Sequence, residues 1–252
     1  MVFAKKKWGQ NFLVDNNLLE KIIKTINVNS QENVLEIGPG QGALSEKIVD
    51  VAKSLSMVEI DPDLIKVLQV HEKLLNLDII NEDILKVDLK SLKINSPVVV
   101  GNIPYNITSP IIFWLIDHFD HWDRAYLMVQ KEVAHRLTAK IGTKDYSRVT
   151  VMTGLFFNIC FTISPNVFLP RPKVQSAFIS IEKRPDFSNQ NVNIKKFSQV
   201  VRMAFNQRRK MLRNSLSTLN IDLDSCKIDF TRRPEQLTID EFIDISNNFI
   251  FQ

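Results

Sequence analysis

Cysteine is scarce in this chain of 252 residues and long apolar runs are missing, and each of these features excludes some classes of protein. The two cysteines, Cys160 and Cys226, are too few for a disulfide framework, so a reducing compartment, the cytoplasm, is expected. No apolar run is long enough to span a bilayer, and the basic residues 1–10 are not followed by the apolar region of a signal peptide. We therefore expect no association with a membrane.

Metal-binding patterns are also missing from the sequence. The four histidines include an H-x-x-H pair, His118 and His121, but no acidic or cysteine partners complete a zinc geometry around it. Surface or hydrogen-bonded histidines are the ordinary explanation, and no metal is expected.

Glycine is scarce as well, and its seven residues are unevenly placed. Three of them, Gly38, Gly40 and Gly42, fall within five residues, between the apolar run 33–37 and the helical spacing of residues 43–49. Glycine is needed where a side chain would collide with something, and the amides that open a helix are free to face a ligand. The sequence therefore predicts a strand-to-helix turn that approaches a nucleotide-like cofactor.

Short apolar runs alternate with helical patterns from about residue 16 to residue 182, which is typical of a doubly wound, mainly parallel α/β sheet. Asp15 is placed to cap the first helix. The last two strands have no clear helical pattern between them, so we expect an antiparallel, hairpin-like end to the sheet. The strands are predicted at residues 33–37, 54–60, 76–80, 97–101, 124–130, 157–164 and 175–182.

The composition changes near residue 185. The stretch from Arg184 to Asn191 combines proline with small polar residues and is typical of a linker, and the residues after it show helical patterns only. We therefore predict a cofactor-binding α/β domain over 1–185 and a small, all-helical domain over 186–252. The net charge of +4 favours a polyanionic partner without proving one.

Two acids follow predicted strands at the edge of the sheet where ligands bind. Glu59 ends the second strand and is placed to accept hydrogen bonds from ribose hydroxyls, and Asp83 follows the third and is placed to hold an adenine amine. Either acid taken alone is more simply a solvated loop residue. A nicotinamide dinucleotide would use the same acid, but its G-x-G-x-x-G turn differs in spacing from the glycines found here.

The segment Asn102-Ile103-Pro104-Tyr105 ends the fourth predicted strand and discriminates between these cofactors. The exocyclic amine of adenine is a poor nucleophile because its lone pair is delocalised into the ring. A side-chain amide oxygen and a backbone carbonyl, held by a proline-fixed turn, can accept the two amine hydrogens and orient that lone pair. The ring of Tyr105 can stack on the base and tolerates a nearby sulfonium cation. An ordinary turn with a core tyrosine is the simpler alternative for four such residues.

These motifs resemble those of the ribosomal RNA adenine dimethyltransferases, most closely the small-subunit branch called the KsgA family. The resemblance covers nearly the whole chain. The matching segments are Lys7-Trp8-Gly9-Gln10-Asn11-Phe12-Leu13, Glu36-Ile37-Gly38-Pro39-Gly40-Gln41-Gly42, the Asn102–Tyr105 segment, and Phe168-Leu169-Pro170-Arg171-Pro172-Lys173-Val174-Gln175-Ser176-Ala177. Trp8, Ile103 and Gln175 stand where the family more commonly has Phe, Leu and Asp.

The resemblance implies a Rossmann-like class I methyltransferase sheet, S-adenosylmethionine as the cofactor, and dimethylation of two adjacent adenines near the 3′ end of small-subunit ribosomal RNA. It implies that Phe168 stacks on the target adenine opposite Tyr105. It assigns the catalytic set to Asn102, Pro104, Tyr105 and Phe168. It assigns the cofactor set to Asn11, Leu13, Gly38, Gly40, Glu59, Ile60, Asp83, Ile84 and Asn102.

Basic residues gather in an N-terminal arm and at the start of the helical domain. On helical spacing, Arg202, Arg209 and Arg213 lie near one stripe, while Phe205, Leu212 and Leu216 face a core. Such a surface could neutralise RNA phosphates, although charge alone equally fits a solvated helix face. The residues predicted to contact RNA are Lys5, Lys6, Lys7, Arg202, Arg208, Arg209, Lys210 and Arg213.

Several alternatives stay open at this point. The related large-subunit methylases that confer macrolide resistance share the chemistry, but the segment 202–216 and the segment Arg233-Pro234-Glu235-Gln236-Leu237-Thr238 resemble the small-subunit branch. A non-catalytic RNA-binding assembly factor could keep the fold, and a nicotinamide oxidoreductase is opposed by the turn spacing. The expected partner is small-subunit ribosomal RNA or the immature small subunit, bound by a monomer in the cytoplasm.

Overall fold

The structure, a computed structural model, describes residues 4–5, 8–153, 157–182 and 192–250. The chain forms two compact units. The first comprises Met1–Ala134 and Asn158–Glu182, and the second comprises His135–Phe157 and Lys183–Gln252. No helix in the described ranges has the length and apolar character needed to cross a membrane.

The strands of the described residues are β1 (Phe12–Leu13), β2 (Asn33–Ile37), β3 (Ser54–Glu59), β4 (Asp78–Asn81), β5 (Val98–Asn102), β6 (Arg124–Gln130), β7 (Phe157–Ile163), β8 (Phe168–Leu169) and β9 (Ser176–Glu182). Within the same described residues, the α-helices are α1 (Asn16–Ile26), α2 (Ser45–Ile48), α3 (Pro62–Gln69), α4 (Thr108–Asp117), α5 (Lys131–Leu137), α6 (Arg148–Thr153), α7 (Ile194–Asn206), α8 (Leu212–Ser215) and α9 (Ile239–Asn247).

The main sheet has the order β4-β3-β2-β5-β6-β9-β7, and β2 to β6 pair in parallel. The chain builds β2, β3 and β4 in one direction and then returns to place β5 on the other side of β2. Ligands in such sheets bind outside the carboxyl ends of the strands where the order reverses. The fold therefore brings the glycine turn after β2 beside the Asn102 end of β5.

The predicted α/β architecture is confirmed, and no strand boundary differs from its prediction by more than two residues. The largest difference is in the third predicted strand, 76–80, which spans Asp78–Asn81 in the structure. At the far end of the sheet, β9 runs antiparallel to β6 with Arg124 opposite Glu182. The last two long strands, β7 and β9, are neighbours, as the missing helix between them suggested.

Local signals explain the first helix. The Asp15 side chain accepts a hydrogen bond from the Leu18 amide, and Asn27 ends the helix in a left-handed conformation with φ of 46°. The buried side chains of α1 follow helical spacing, so one face packs into the core beside the sheet. These buried residues are Leu19, Ile22 and Ile26.

The second unit corrects the predicted domain boundary at 185/186. Residues 135–157 group with the C-terminal helices rather than with the sheet. The Tyr146 hydroxyl donates to the Leu237 carbonyl at 2.9 Å, and the Gly142 amide donates to the Glu235 carbonyl at 2.8 Å. The sequence could not show this because those contacts join segments about ninety residues apart.

The second unit also corrects the predicted basic stripe. A continuous helix through residues 202–216 does not form, because α7 ends at Asn206 and α8 begins at Leu212. The first two amides of α8 donate hydrogen bonds to carbonyls elsewhere in the chain: Leu212 N donates to Arg232 O, and Arg213 N donates to Phe230 O. Leu212 and Leu216 are buried as expected, but Arg202 is not on one helix with Arg209 and Arg213.

We expect Gly42→Ala to lower the thermal unfolding temperature more than Gly38→Ala. Both glycines have positive φ, +87° and +67°, so each alanine carries a conformational cost of about 1–2 kcal/mol. A Cβ at Gly42 would also lie 2.7 Å from Leu74 Cδ1, whereas a Cβ at Gly38 meets nothing within 4 Å. Calorimetry on both variants tests this comparison, and equal losses would contradict the crowding at Gly42.

Candidate active site

A cavity of about 480 Å³ opens in the first unit at the carboxyl ends of β2, β3 and β5. It is lined by the glycine turn, the residues after β3 and β4, the Asn102–Tyr105 turn and the N-terminal segment before α1. The structure brings together all nine residues predicted for the cofactor, together with two further members of the catalytic set. They are Asn11, Leu13, Gly38, Gly40, Glu59, Ile60, Asp83, Ile84, Asn102, Pro104 and Tyr105.

The glycine turn leaves open space where side chains would otherwise stand. The Gly38 amide donates a hydrogen bond to the Val58 carbonyl at 2.9 Å, which connects the turn to β3. A Cβ on Gly38 would point into open space, and a Cβ on Gly40 would lie 3.1 Å from the Phe12 ring. The turn therefore forms a cradle in which a ligand can approach the backbone closely.

Glu59 ends β3 as a buried carboxylate, only 4% exposed. Its Oε2 accepts from the Gly40 amide at 3.2 Å, and its Oε1 accepts from the Asp61 amide at 2.9 Å. Burial raises the pKa of Glu59, and the two backbone amides oppose that rise. A carboxylate fixed in this way retains acceptor capacity for ligand hydroxyls.

Asp83 lies on the adjacent loop and has a structural task as well as a place in the cavity. Its Oδ1 caps a short 3₁₀ turn by accepting from the Leu85 amide at 3.0 Å. Ile84, the next residue, is buried. One carboxylate oxygen of Asp83 is thus committed to the fold, and the other is available to a ligand amine at the cavity wall.

Asn102 connects the end of β5 to the N-terminal segment. Its Nδ2 donates to the Asn11 carbonyl at 2.9 Å. Because a carbonyl can only accept, the nitrogen of the carboxamide is assigned to this contact, and Oδ1 is the end left for another donor. The side chain is half-buried at the cavity wall, so Asn102 presents an oriented acceptor there.

Tyr105 is anchored through its hydroxyl. The phenol and the Ser176 hydroxyl lie 2.6 Å apart, and Ser176, the first residue of β9, is buried. Burial raises the pKa of Tyr105, so the phenol stays protonated near neutral pH. This bond fixes the ring at the cavity wall, a contact that the sequence did not suggest.

Phe168 differs from its predicted place. It belongs to β8, opposite Leu13 of β1, and its side chain is 3% exposed within the hydrophobic core. It is not among the residues that line the cavity. In this structure the ring therefore packs in the core instead of lining the cavity with Tyr105.

Glu36 is a cavity residue that the sequence interpretation passed over. It lies inside β2, 2% exposed, and the Ser45 hydroxyl donates to its Oε2 at 2.5 Å. Burial, with a smaller contribution from the nearby Glu59, raises the pKa of Glu36 to about 7, although the Ser45 hydrogen bond opposes the rise. The available signal was a single acid within an apolar strand, where an unpaired charge is expensive.

The eight basic residues predicted for RNA fall into three groups. The Lys5 ammonium donates to Asp61 and Asp63, and the Arg208 guanidinium binds Glu235 and the Thr143 and Lys144 carbonyls, so both serve the fold. Lys6 and Lys7 lie outside the described residues. The exposed cations are Arg202, Arg209, Lys210 and Arg213.

Within the described ranges no cluster of three or more acids, histidines or cysteines could hold a metal ion.

The fold and this cavity define a class I methyltransferase, whose methyl donor is S-adenosylmethionine. The residues present fit that molecule: a glycine cradle for close approach, a fixed carboxylate for ribose hydroxyls, and a second acid for an adenine amine. A solved dimethyladenosine transferase from Plasmodium falciparum superposes with a TM-score of 0.77 at 26% identity, covering 95% of this chain and all of that one.

The chain belongs to the ribosomal RNA adenine dimethylase family, whose model matches residues 1–250. It is 38% identical to ribosomal RNA small subunit methyltransferase A of Coxiella burnetii, over 96% of each chain. The solved 23S rRNA methyltransferase ErmE is also similar, with a TM-score of 0.68 and 25% identity over 94% of this chain and 99% of that one.

Glu36 predicts a pH dependence of stability. Because its folded pKa of about 7 lies above the ordinary 4.5, the folded protein binds more protons than the unfolded chain between these values. Its contribution therefore falls as pH rises through that window, by up to about 3 kcal/mol, and stays low above it.

Glu36→Gln keeps the shape and removes the charge, so its unfolding temperature relative to the wild type should be higher at pH 8 than at pH 5. Melting curves at both values measure this difference. Glu182→Gln, an exposed acid at the end of β9, is the matched control and should show no such change. A parallel response of Glu36→Gln and wild type at both pH values would refute the buried charge.

Proposed function

We propose that this protein transfers methyl groups from S-adenosylmethionine to the exocyclic amines of two adjacent adenines near the 3′ end of small-subunit ribosomal RNA. The observation that carries the proposal is the Asn102 carboxamide, whose nitrogen is held by the Asn11 carbonyl so that its oxygen remains as an acceptor beside the cavity. Tyr105, anchored on Ser176, supplies an aromatic ring in the same turn.

The roles of the cofactor residues follow from their chemistry. S-adenosylmethionine supplies, when bound, an electrophilic methyl group on a sulfonium. Glu59 would accept from the ribose hydroxyls, and Asp83 would accept from the adenine amine of the cofactor. The methionine end would be held by Asn11 and by backbone at Leu13 and Gly38. Gly40, Ile60 and Ile84 complete the walls.

The target adenine must leave its stack to reach this site, which costs a few kcal/mol. Stacking on Tyr105 returns about 1–3 kcal/mol of that cost. Asn102 Oδ1 and a backbone carbonyl of the turn containing Pro104 would accept the two amine hydrogens, which directs the nitrogen lone pair towards the methyl donor. Phe168 would offer a second stacking face only after its ring leaves the core.

The reaction needs no general base from the protein, because the amine proton becomes acidic once the nitrogen has accepted a methyl group. The work of the chain is positioning and the exclusion of water. Two transfers to one adenine additionally require a pocket that admits the monomethyl product.

Two observations favour small-subunit over large-subunit ribosomal RNA. The relative in Coxiella burnetii, named for the small subunit, is 38% identical to this chain, whereas the 23S enzyme ErmE is 25% identical. The helical unit also carries the segment around Arg209 that resembles the small-subunit branch.

We further propose that the enzyme acts as a monomer in the cytoplasm, on the RNA or on the immature small subunit. In this proposal the unit that contains the sheet performs catalysis, and the exposed cations of the helical unit contact RNA.

Asn102→Ala should abolish methyl transfer while the fold is retained, because the oriented acceptor for the target amine is removed. Labelled S-adenosylmethionine, undermethylated small subunits and nucleoside analysis measure the product, with large subunits in parallel. Asn95→Ala, an exposed amide at the opposite end of β5, is the control. Undiminished turnover in Asn102→Ala would overturn the role of Asn102, and label in large subunits alone would overturn the substrate.

Neutralising Arg209, Lys210 and Arg213 to Gln should weaken RNA binding and flatten its salt dependence. Removing one cation from a phosphate reduces the slope of log K against log salt by about 0.7–0.9. Filter binding over a salt series measures the slope. The triple variant Lys53, Lys86 and Lys90 to Gln removes the same charge from exposed sites of the first unit and is the control. Equal slopes in the two variants would mean that only net charge matters.

A further inference from the structure

The N-terminal segment covers one wall of the cofactor cavity without belonging to the main sheet. Residues 8–14, here called the strap, all line the cavity. The strap is attached at its C-terminal side, where β1 pairs with β8 and the Val14 amide donates to the Val167 carbonyl at 2.9 Å. In its middle, the Asn11 carbonyl accepts from Asn102. Its N-terminal side is attached to a different element.

That element is Asp61, whose side chain is fully buried. Its Oδ1 accepts from the Lys5 ammonium at 2.7 Å, and its Oδ2 accepts from Gln10 Nε2 at 3.1 Å. Gln10 in turn accepts, through Oε1, from the Lys5 amide at 2.8 Å. Lys5, just before the strap, and Gln10, within it, thus both bind the Asp61 carboxylate, and the Lys5 ammonium also donates to the exposed Asp63 at 2.6 Å.

Asp61 is also connected to the cavity, through the contact of its backbone with Glu59. Its amide donates to Glu59 Oε1, and its Oδ1 caps α3 by accepting from the Asp63 amide at 3.1 Å. One short loop therefore carries the buried carboxylate of the cavity and the anchor of the strap. Although burial raises the pKa of Asp61, the hydrogen bonds from Lys5 and Gln10 hold it below its usual value. The anchor is ionised at neutral pH.

We propose that the Lys5–Asp61 ion pair is a positioning contact that fastens the strap across the cofactor cavity and so sets the affinity for S-adenosylmethionine. Neither residue lies among the residues that line the cavity, so the pair acts through the strap. The proposal rests on the proposed function for the identity of the ligand. It also gives Lys5 a task inside the first unit in place of the RNA contact predicted from the sequence.

Lys5→Met should weaken binding of S-adenosylmethionine about tenfold, the effect of one charge-assisted hydrogen bond, mainly through faster dissociation. Titration calorimetry with the cofactor alone, without RNA, measures the affinity. In the methyl-transfer assay the KM for the cofactor should rise while kcat at saturation stays within about twofold. Lys5→Arg keeps the charge and should restore the affinity.

Asp61→Asn tests the other partner, because asparagine can still cap α3. Its effect and that of Lys5→Met should be less than additive in the double variant, since both remove the Lys5–Asp61 contact. Lys53→Met, an exposed lysine of the same unit, is the matched control and should bind like the wild type.

A Lys5→Met affinity within about twofold of the wild type would overturn the strap proposal while leaving the proposed function intact. A wild type that binds no S-adenosylmethionine would overturn both. If kcat falls and KM is unchanged, the ion pair does not act through the cofactor and the proposal fails.

Discussion

The buried carboxylate of Glu59 is the interaction on which the cofactor cavity depends. It accepts the Gly40 amide from one turn and the Asp61 amide from another, so it joins the loops that follow two neighbouring strands. A carboxylate removed from water is costly unless its oxygens receive hydrogen bonds, and these two amides are in place before any ligand arrives. The wall is therefore preorganised, and a cofactor meets oriented acceptors instead of ordering them on binding.

Preorganisation extends to the Asn102–Tyr105 turn by the same kind of contact. Asn102 is oriented by a backbone carbonyl and Tyr105 by a buried hydroxyl, and both partners come from distant parts of the chain. The parallel strands bring these groups to one edge, and the reversal of strand order between β2 and β5 leaves the space between them. Positioning of this kind is the main contribution of the chain to the proposed methyl transfer.

Much of this was predictable from local pattern. The apolar alternation located the sheet strands, Asp15 located the start of α1, and the residues proposed for the cofactor do line one cavity. Predictions depart from the structure where long-range contacts decide the outcome. Phe168 packs in the core because β8 pairs with β1. The Arg208 guanidinium is bound by Glu235 and two backbone carbonyls. Lys5 looked like part of a basic arm because nothing in its neighbourhood reveals Asp61, fifty-six residues away. Glu36 was missed because a pattern of residue types does not report burial.

The division of the chain has a consequence for synthesis on the ribosome. The backbone passes between the two units three times, at 134/135, 157/158 and 182/183. Residues 135–157 emerge well before segments that they pack against, such as the one containing Leu237. Buried side chains of this segment, Tyr146, Val151 and Met152, therefore lack these later partners while the intervening residues are synthesised. The nascent chain therefore carries this apolar surface exposed until the segment containing Leu237 emerges, whereas every strand of the main sheet precedes that segment in the chain.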